Sequence, residues 1–196
     1  MYKRQGETDI DGAEVELTWR SALLDGLSAS LNYTFVDAEF TSFNLAEILA
    51  PVGGAPSAFN RAKAGNNDGD FSGNVPALTP ENSASFSLRY DRNPSSESRF
   101  YIEAIALYMD ERFIGEDNHA WLPSYTEVDL YLGYGRNNWD LTLYVVNATD
   151  DDTIKSGVGN VDYGFLPDGR SVPSAASLYL PQPRTAGVRF EMGFGN

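Results

Sequence analysis

The chain carries 28 acidic and 14 basic side chains in 196 residues, a formal net charge of −14, and no cysteine. Its length suits one sizeable domain, and its acidity excludes a nucleic-acid binder, which needs a basic stripe to displace counterions. The lack of cysteine excludes disulfide and thiolate–metal scaffolds, and no apolar run approaches the ~20 residues of a membrane helix.

Seven segments alternate apolar and polar residues with period two, the spacing that sends successive side chains to opposite faces of a strand. The opening Met1-Tyr2-Lys3-Arg4-Gln5-Gly6 has no apolar signal-peptide core, so the start of an exported parent is expected to lie elsewhere. The first strand is expected over residues 8–21, with Ala13, Val15, Leu17 and Trp19 on one face and Glu14, Glu16, Thr18 and Arg20 on the other. After the turn Ala22-Leu23-Leu24-Asp25-Gly26, the second spans 27–43 and sets Leu27, Ala29, Leu31, Tyr33 and Phe35 against Ser28, Ser30, Asn32 and Thr34. A Gly/Pro/Asn-rich stretch follows over 44–78, with one short helix suggested at 45–49.

The third strand, 79–92, presents Ala84, Phe86, Leu88 and Tyr90; the fourth, 98–112, presents Phe100, Ile102, Ala104, Ala106 and Tyr108. A loop through Glu116-Asp117-Asn118-His119 leads to the fifth, 123–136, with Thr126, Val128, Leu130, Leu132 and Tyr134 in phase. The tight turn Gly135-Arg136-Asn137-Asn138 leads into the sixth, 138–149, which carries Trp139, Leu141, Leu143 and Val145. A second long loop precedes the seventh, 183–195, where Ala186, Val188, Phe190, Met192 and Phe194 share a face.

Two regularities separate a soluble sandwich from a membrane barrel. The connections alternate short and long, as periplasmic turns and extracellular loops do in outer-membrane barrels. On the apolar faces, Trp19, Tyr90, Phe100, Tyr134, Trp139 and Phe194 all sit beside a short turn or the C-terminus. Antiparallel folding gathers them at one rim, the depth at which amphipathic rings sit between lipid and water. A soluble sandwich has no reason to collect aromatics at one end of every strand. The expected fold is therefore all-β: about seven antiparallel strands of a larger transmembrane β-barrel, with long extracellular loops and short periplasmic turns.

Several short motifs then coincide in order. Gly12-Ala13-Glu14-Val15-Glu16-Leu17, Leu31-Asn32-Tyr33-Thr34-Phe35, Pro80-Glu81-Asn82-Ser83-Ala84-Ser85-Phe86, Leu122-Pro123-Ser124-Tyr125, Asn147-Ala148-Thr149-Asp150 and Pro183-Arg184-Thr185-Ala186-Gly187 together resemble the C-terminal barrel portion of TonB-dependent outer-membrane receptors. Ala148 stands where that family usually has Leu, and Gly195-Asn196 follow the final aromatic. The resemblance implies a barrel of about twenty-two strands in the outer membrane of a Gram-negative bacterium. It also implies an N-terminal plug that contacts the TonB complex and is absent from these residues, with import of a scarce nutrient such as an iron–siderophore. In that reading Val188, Phe190 and Phe194 form the signal for the barrel-assembly machinery, and outer-membrane lipid surrounds the strands. The rival from another class is a passive small outer-membrane barrel or adhesin.

Candidate sites are sparse. Trp121, Tyr163, Phe165 and Tyr179 lie in outer loops, where they can stack on a ligand or on their own loop. Asp68 and Asp70, in Asn66-Asn67-Asp68-Gly69-Asp70, offer oxygen ligands but lack the downstream bidentate Glu of a calcium loop. The sole histidine, His119, would serve an outer-membrane hydrolase, the remote alternative, yet no G-x-S-x-G or H-E-x-x-H pattern accompanies it. Neither an enzyme nor a cofactor is expected. Glu14, Glu16, Arg89, Glu103, Glu127, Asp129, Arg189 and Glu191 are expected to pair across neighbouring strands or to line a wet lumen.

Overall fold

Strands form where the alternation is unbroken, and turns where glycine, asparagine or serine interrupts it. The computed structural model describes residues 6–44, 70–161 and 174–194. In chain order the strands are β1 (Glu7–Arg20), β2 (Leu27–Ser42), β3 (Asn82–Ser95), β4 (Ser98–Met109), β5 (Arg112–Phe113), β6 (Trp121–Leu122), β7 (Tyr125–Arg136), β8 (Trp139–Val146), β9 (Ser156–Val161), β10 (Ser174–Tyr179) and β11 (Thr185–Met192). No helix occurs among the described residues; the helix suggested at 45–49 falls outside them.

Seven strands make one antiparallel sheet in the order β1-β2-β3-β4-β7-β8-β11, while β5-β6 and β9-β10 are separate two-stranded pairs. All seven alternating segments are therefore strands of one sheet, and β1 and β11 are its two ends. The fourth strand stops at Met109 and the third continues to Ser95, because Asn93-Pro94 is absorbed in a register shift between Arg92 and Ser95. A bulge tolerates proline, which has no ladder N–H to give.

Antiparallel order places the connections at 21–26, 96–97 and 137–138 at one end and those at 43–81, 110–124 and 147–184 at the other. Each short turn has its own cause. Ser21 Oγ accepts the N–H groups of Leu23 (3.2 Å) and Leu24 (2.9 Å). Gly26 takes φ 89°, with its α-carbon so close to the Asp91 carbonyl that a Cβ would collide. The Ser95 and Ser98 hydroxyls bond at 2.7 Å, and Asn137 adopts φ 52°, which asparagine tolerates.

The register keeps one face apolar across the whole sheet. Leu31 opposes Leu17 and Phe86, Ile102 opposes Leu132, and Leu143 opposes Leu132 and Val188. Among the described residues no second layer covers that face: Leu130 is 43 % exposed, Leu143 42 % and Val188 64 %. The buried apolar residues Ala38, Phe40, Phe71, Ile114 and Leu122 lie instead at the long-loop end. A soluble sandwich would bury the alternating positions themselves.

Candidate functional site

The polar face holds itself together laterally. Ser30 and Ser87 hydroxyls meet at 2.8 Å, and the Asn32 amide donates to Ser85 at 3.1 Å. Arg89 forks onto Asp91 (2.9 Å) and reaches its register partner Glu103 (3.0 Å), its guanidinium 4.1 Å above the Tyr101 ring. Tyr101 lies across Gly133 and Tyr144 across Gly187, so that a Cβ at either glycine would run into a ring. Large side chains thereby cover the backbone that glycine leaves bare. This pairing gives Arg89 and Glu103 partners within the sheet.

At the long-loop end the chain continues the sheet irregularly. Val36 N–H donates to Glu81 O (2.8 Å), Phe40 N–H to Asn74 O (2.9 Å) and Gly73 N–H to Phe40 O (2.8 Å), so residues 73–81 run along the free side of β2. Phe40, Phe43 and Phe71 stack in a row, with centroids 4.7 and 5.8 Å apart. Asn118, at φ 51°, clamps the two loops: its side chain accepts Val75 N–H (2.8 Å) and donates to Val75 O (2.9 Å). Beside this clamp a cavity of about 200 Å³ is lined by Val36, Asp37, Val75, Glu81, Arg112 and Trp121.

Two cations anchor the neighbouring loops. Arg112, 8 % exposed, donates to the Lys155 carbonyl and approaches the Tyr125 ring at 5.7 Å. Lys155 pairs with Glu127, lies 3.8 Å from Asp151, and sits 5.0 Å from the same ring. Near them, the Asn82 amide donates to Asp110 at 2.9 Å and holds its carboxyl below the ordinary value, assisted by Glu111 N–H and Tyr108 O–H and opposed by partial burial.

Asn147 is the tightest knot. It is 1 % exposed and at φ 51°; its N–H donates to Asp129 (2.9 Å), and its amide to Asp151 O (2.9 Å) and Gln182 O (3.1 Å). Its side-chain oxygen accepts Asp151 N–H at 2.8 Å. One turn on, Asp150 accepts Arg184 N–H (3.0 Å) and faces its guanidinium (3.4 Å). The Asn-Ala-Thr-Asp and Pro-Arg segments thus fasten the start of β11 to the end of β8.

A family profile described as TonB dependent receptor-like, beta-barrel matches residues 1–148, more than half of the chain. The chain belongs to this family. Its fold is shared with solved receptors at low identity. The ferric yersiniabactin uptake receptor FyuA from Yersinia pestis aligns at TM-score 0.68 and 19% identity over 97% of this chain and 24% of that one. The siderophore receptor PiuA from Acinetobacter baumannii aligns at 0.62 and 22% over 94% and 22%. The ferric citrate transporter FecA in its unliganded form aligns at 0.62 and 16% over 95% and 24%. This chain spans less than a quarter of the length of those three receptors. Its open seven-strand sheet is accordingly a partial barrel of a TonB-dependent receptor.

Within that barrel segment, Trp19, Tyr90, Phe100, Tyr134 and Trp139 stand on strand residues near the short turns, and Phe194 lies two residues past β11. Trp139 contacts Tyr134 at 5.6 Å and Phe190 at 6.2 Å, one aromatic run across β7, β8 and β11. Val188 and Phe190 share the exposed apolar face. Of the loop aromatics, Trp121 is 59 % exposed and Tyr179, on β10, 58 %; Tyr163 and Phe165 fall outside the described residues, as does Asp68. Asp70 spends its carboxylate on Ser72, whose hydroxyl (2.7 Å) and N–H (3.0 Å) lower its pKa. His119 Nδ1 lies 2.9 Å from the Asp117 carbonyl. Asn147-Ala148-Thr149 also has the Asn-x-Thr pattern of a glycosylation acceptor, but the Asn147 amide is buried and already donates twice.

Arg112, Lys155 and the Asn118 clamp were not singled out by sequence reasoning, and nothing local marks them. In the sequence Asn147 and Arg184 are letters of two separate motifs; that Asn147 reaches Gln182 and Asp150 holds Arg184 shows only in the fold.

Proposed function

We propose that this chain is part of an outer-membrane active-transport receptor that binds a scarce nutrient, such as an iron–siderophore, at its outer loops and imports it with TonB-supplied energy. The observation that carries the reading is the asymmetric sheet: an uncovered apolar face, short turns at one end and a built loop platform at the other, in a chain of this family. The structural relatives, a ferric yersiniabactin uptake receptor, a siderophore receptor and a ferric citrate transporter, support the ligand class.

The apolar face meets outer-membrane lipid, and Trp19, Tyr90, Phe100, Tyr134, Trp139 and Phe194 form its periplasmic interfacial belt. The short turns face the periplasm, the loops face outward, and Val188, Phe190 and Phe194 are read by the barrel-assembly machinery. TonB is engaged through a plug encoded outside these residues. The cavity at Trp121 and Arg112 is one wall of the ligand vestibule, Tyr179 offers a further exposed loop ring, and no side chain is assigned a catalytic role. A passive small barrel would pair β1 with β11, which are the two ends of the sheet.

Uptake of radiolabelled iron–siderophores by iron-starved cells, with and without the full-length gene, tests the proposal. Uptake that needs the gene and stops with a protonophore is expected. Gene-dependent uptake that persists without the proton gradient would contradict it and favour the passive barrel.

A further inference from the structure

The apolar face is charged only towards its two rims: at the loop end it is acidic on β1 and β2, with the in-phase Arg184 answered by Asp150, and at the other end it is basic on β3 and β7. At the loop end, Asp9 opposes Glu39 and Asp11 opposes Asp37, all in phase with the apolar residues. At the short-turn end the residues next in phase beyond Tyr90 and Tyr134 are Arg92 and Arg136. In a chain of net charge −14, this rim of the face presents cations.

The register brings the two arginines to one place. Arg92 is opposite Phe100, Phe100 is opposite Tyr134, and Ser98 is opposite both Ser95 and Arg136. The arginines therefore flank β4 from the strands on either side, about 10 Å apart across the sheet and offset by about 7 Å along it. Two extended arginine side chains can meet over Ser98 across that span. Neither is held elsewhere. Arg92 donates to the Tyr90 hydroxyl at a long 3.3 Å, and Arg136 approaches Glu97 in the turn only at 4.0 Å, an exposed pair that contributes little.

Directly below, on the same face, a shallow depression of about 580 Å³ is lined by Ile102, Leu130, Leu132, Leu143, Val145 and Val188. Ile102 and Leu132 sit one cross-strand row beneath Phe100 and Tyr134. A ligand fitting this arrangement has an anionic head, a neck that lies against aromatic rings and an apolar tail. The guanidinium fork matches a phosphate in geometry as well as charge, and rings with polar tips favour the glycerol depth of a bilayer. A soluble anion would leave the depression uncovered, and an apolar protein segment would leave the arginines unanswered.

We propose that this rim is a phospholipid-binding site, in which Arg92 and Arg136 hold the phosphate of one anionic phospholipid over Ser98 and Phe100 while an acyl chain lies in the depression beneath. The proposal rests on the membrane reading above and adds to it a specific lipid of the periplasmic leaflet.

The test uses the full-length receptor in nanodiscs of phosphatidylcholine containing phosphatidylglycerol, with retained lipids counted by native mass spectrometry. Wild type and the polar-face control Arg20→Gln should retain phosphatidylglycerol equally, and the double variant Arg92→Gln/Arg136→Gln should retain at least about fivefold less. The double lysine variant, which keeps the charge but loses the fork, should fall between them. Equal retention by wild type and the double glutamine variant overturns the site. A fluorophore at Leu132→Cys, read against brominated acyl chains, separates the two levels. Quenching together with undiminished phosphatidylglycerol leaves the membrane reading standing and removes only the lipid site; no quenching in a folded receptor removes both.

Discussion

Asn147 shows how much one residue can decide. It closes β8, caps the following turn and reaches Gln182 across 35 residues, all while 1 % exposed. Removing its side chain leaves Asp151 N–H and Gln182 C=O without their partner, and an unsatisfied buried group costs about 1–3 kcal/mol. Asn147→Ala should therefore lower the temperature at which the folded receptor loses its heat-modifiable gel mobility. Asn147→Gly should lower it less, because glycine accepts φ 51° without strain. An unchanged transition in both would sink this account.

Asp110 gives the same end of the molecule a pH dependence. Its folded pKa is lowered, chiefly by the Asn82 amide, while an unfolded aspartate titrates near 3.9 (about that value in model peptides). A depressed pKa means stability that is complete above the unfolded value and is lost as pH falls through the folded one. Protease sensitivity of the loop after β4 should rise between about pH 4 and more acid conditions, and Asn82→Ala should blunt that rise. Tightening of the loop on acidification would contradict the sign.

At the scale of the strand, register converts sequence parity into environment. Leu130 and Leu143 lie on the exposed apolar face, opposite Val145 and Leu132 respectively, whereas Thr142 lies on the polar face, opposite Gly133 and Arg189, with its hydroxyl 3.3 Å from Tyr101. Arginine on the lipid face near the bilayer midplane costs about 2–4 kcal/mol. Leu130→Arg and Leu143→Arg should each impair folding into lipid vesicles, and Thr142→Arg should impair it less; equal losses would mean the faces are misassigned.

The seven strands and their faces were legible because a period of two repeats long enough to be counted. The loop strands were not. β5 and β6 have two residues each, too few to show a period, and β9 (Ser-Gly-Val-Gly-Asn-Val) and β10 (Ser-Ala-Ala-Ser-Leu-Tyr) show no sustained apolar–polar alternation over their six residues. The loop platform escaped for another reason: Arg112 and Lys155 are 43 residues apart, as are Asn118 and Val75, and each meets its partner only once the sheet exists.

For the molecule as a whole, the decisive feature is that its sheet ends twice. β1, fourteen residues long and exposed throughout, pairs only with β2 among the described strands, and β11 only with β8. In hydrocarbon each unpaired backbone group costs several kcal/mol, so an open sheet cannot span a bilayer alone. In water the same edges, next to an uncovered apolar face, are templates for association. The 196-residue chain expressed by itself should fail to give a monomer by light scattering without detergent. Within the full-length receptor, β1 and β11 should each pair with other strands of the parent and stay apart from one another. Cysteines at Leu17 and Phe190 report on this directly, since a disulfide needs α-carbons within about 7 Å. No cross-link is expected in the folded receptor. Efficient oxidation to that disulfide would mean that the two edges meet in a closed small barrel, and the partial-barrel architecture would give way to the passive one.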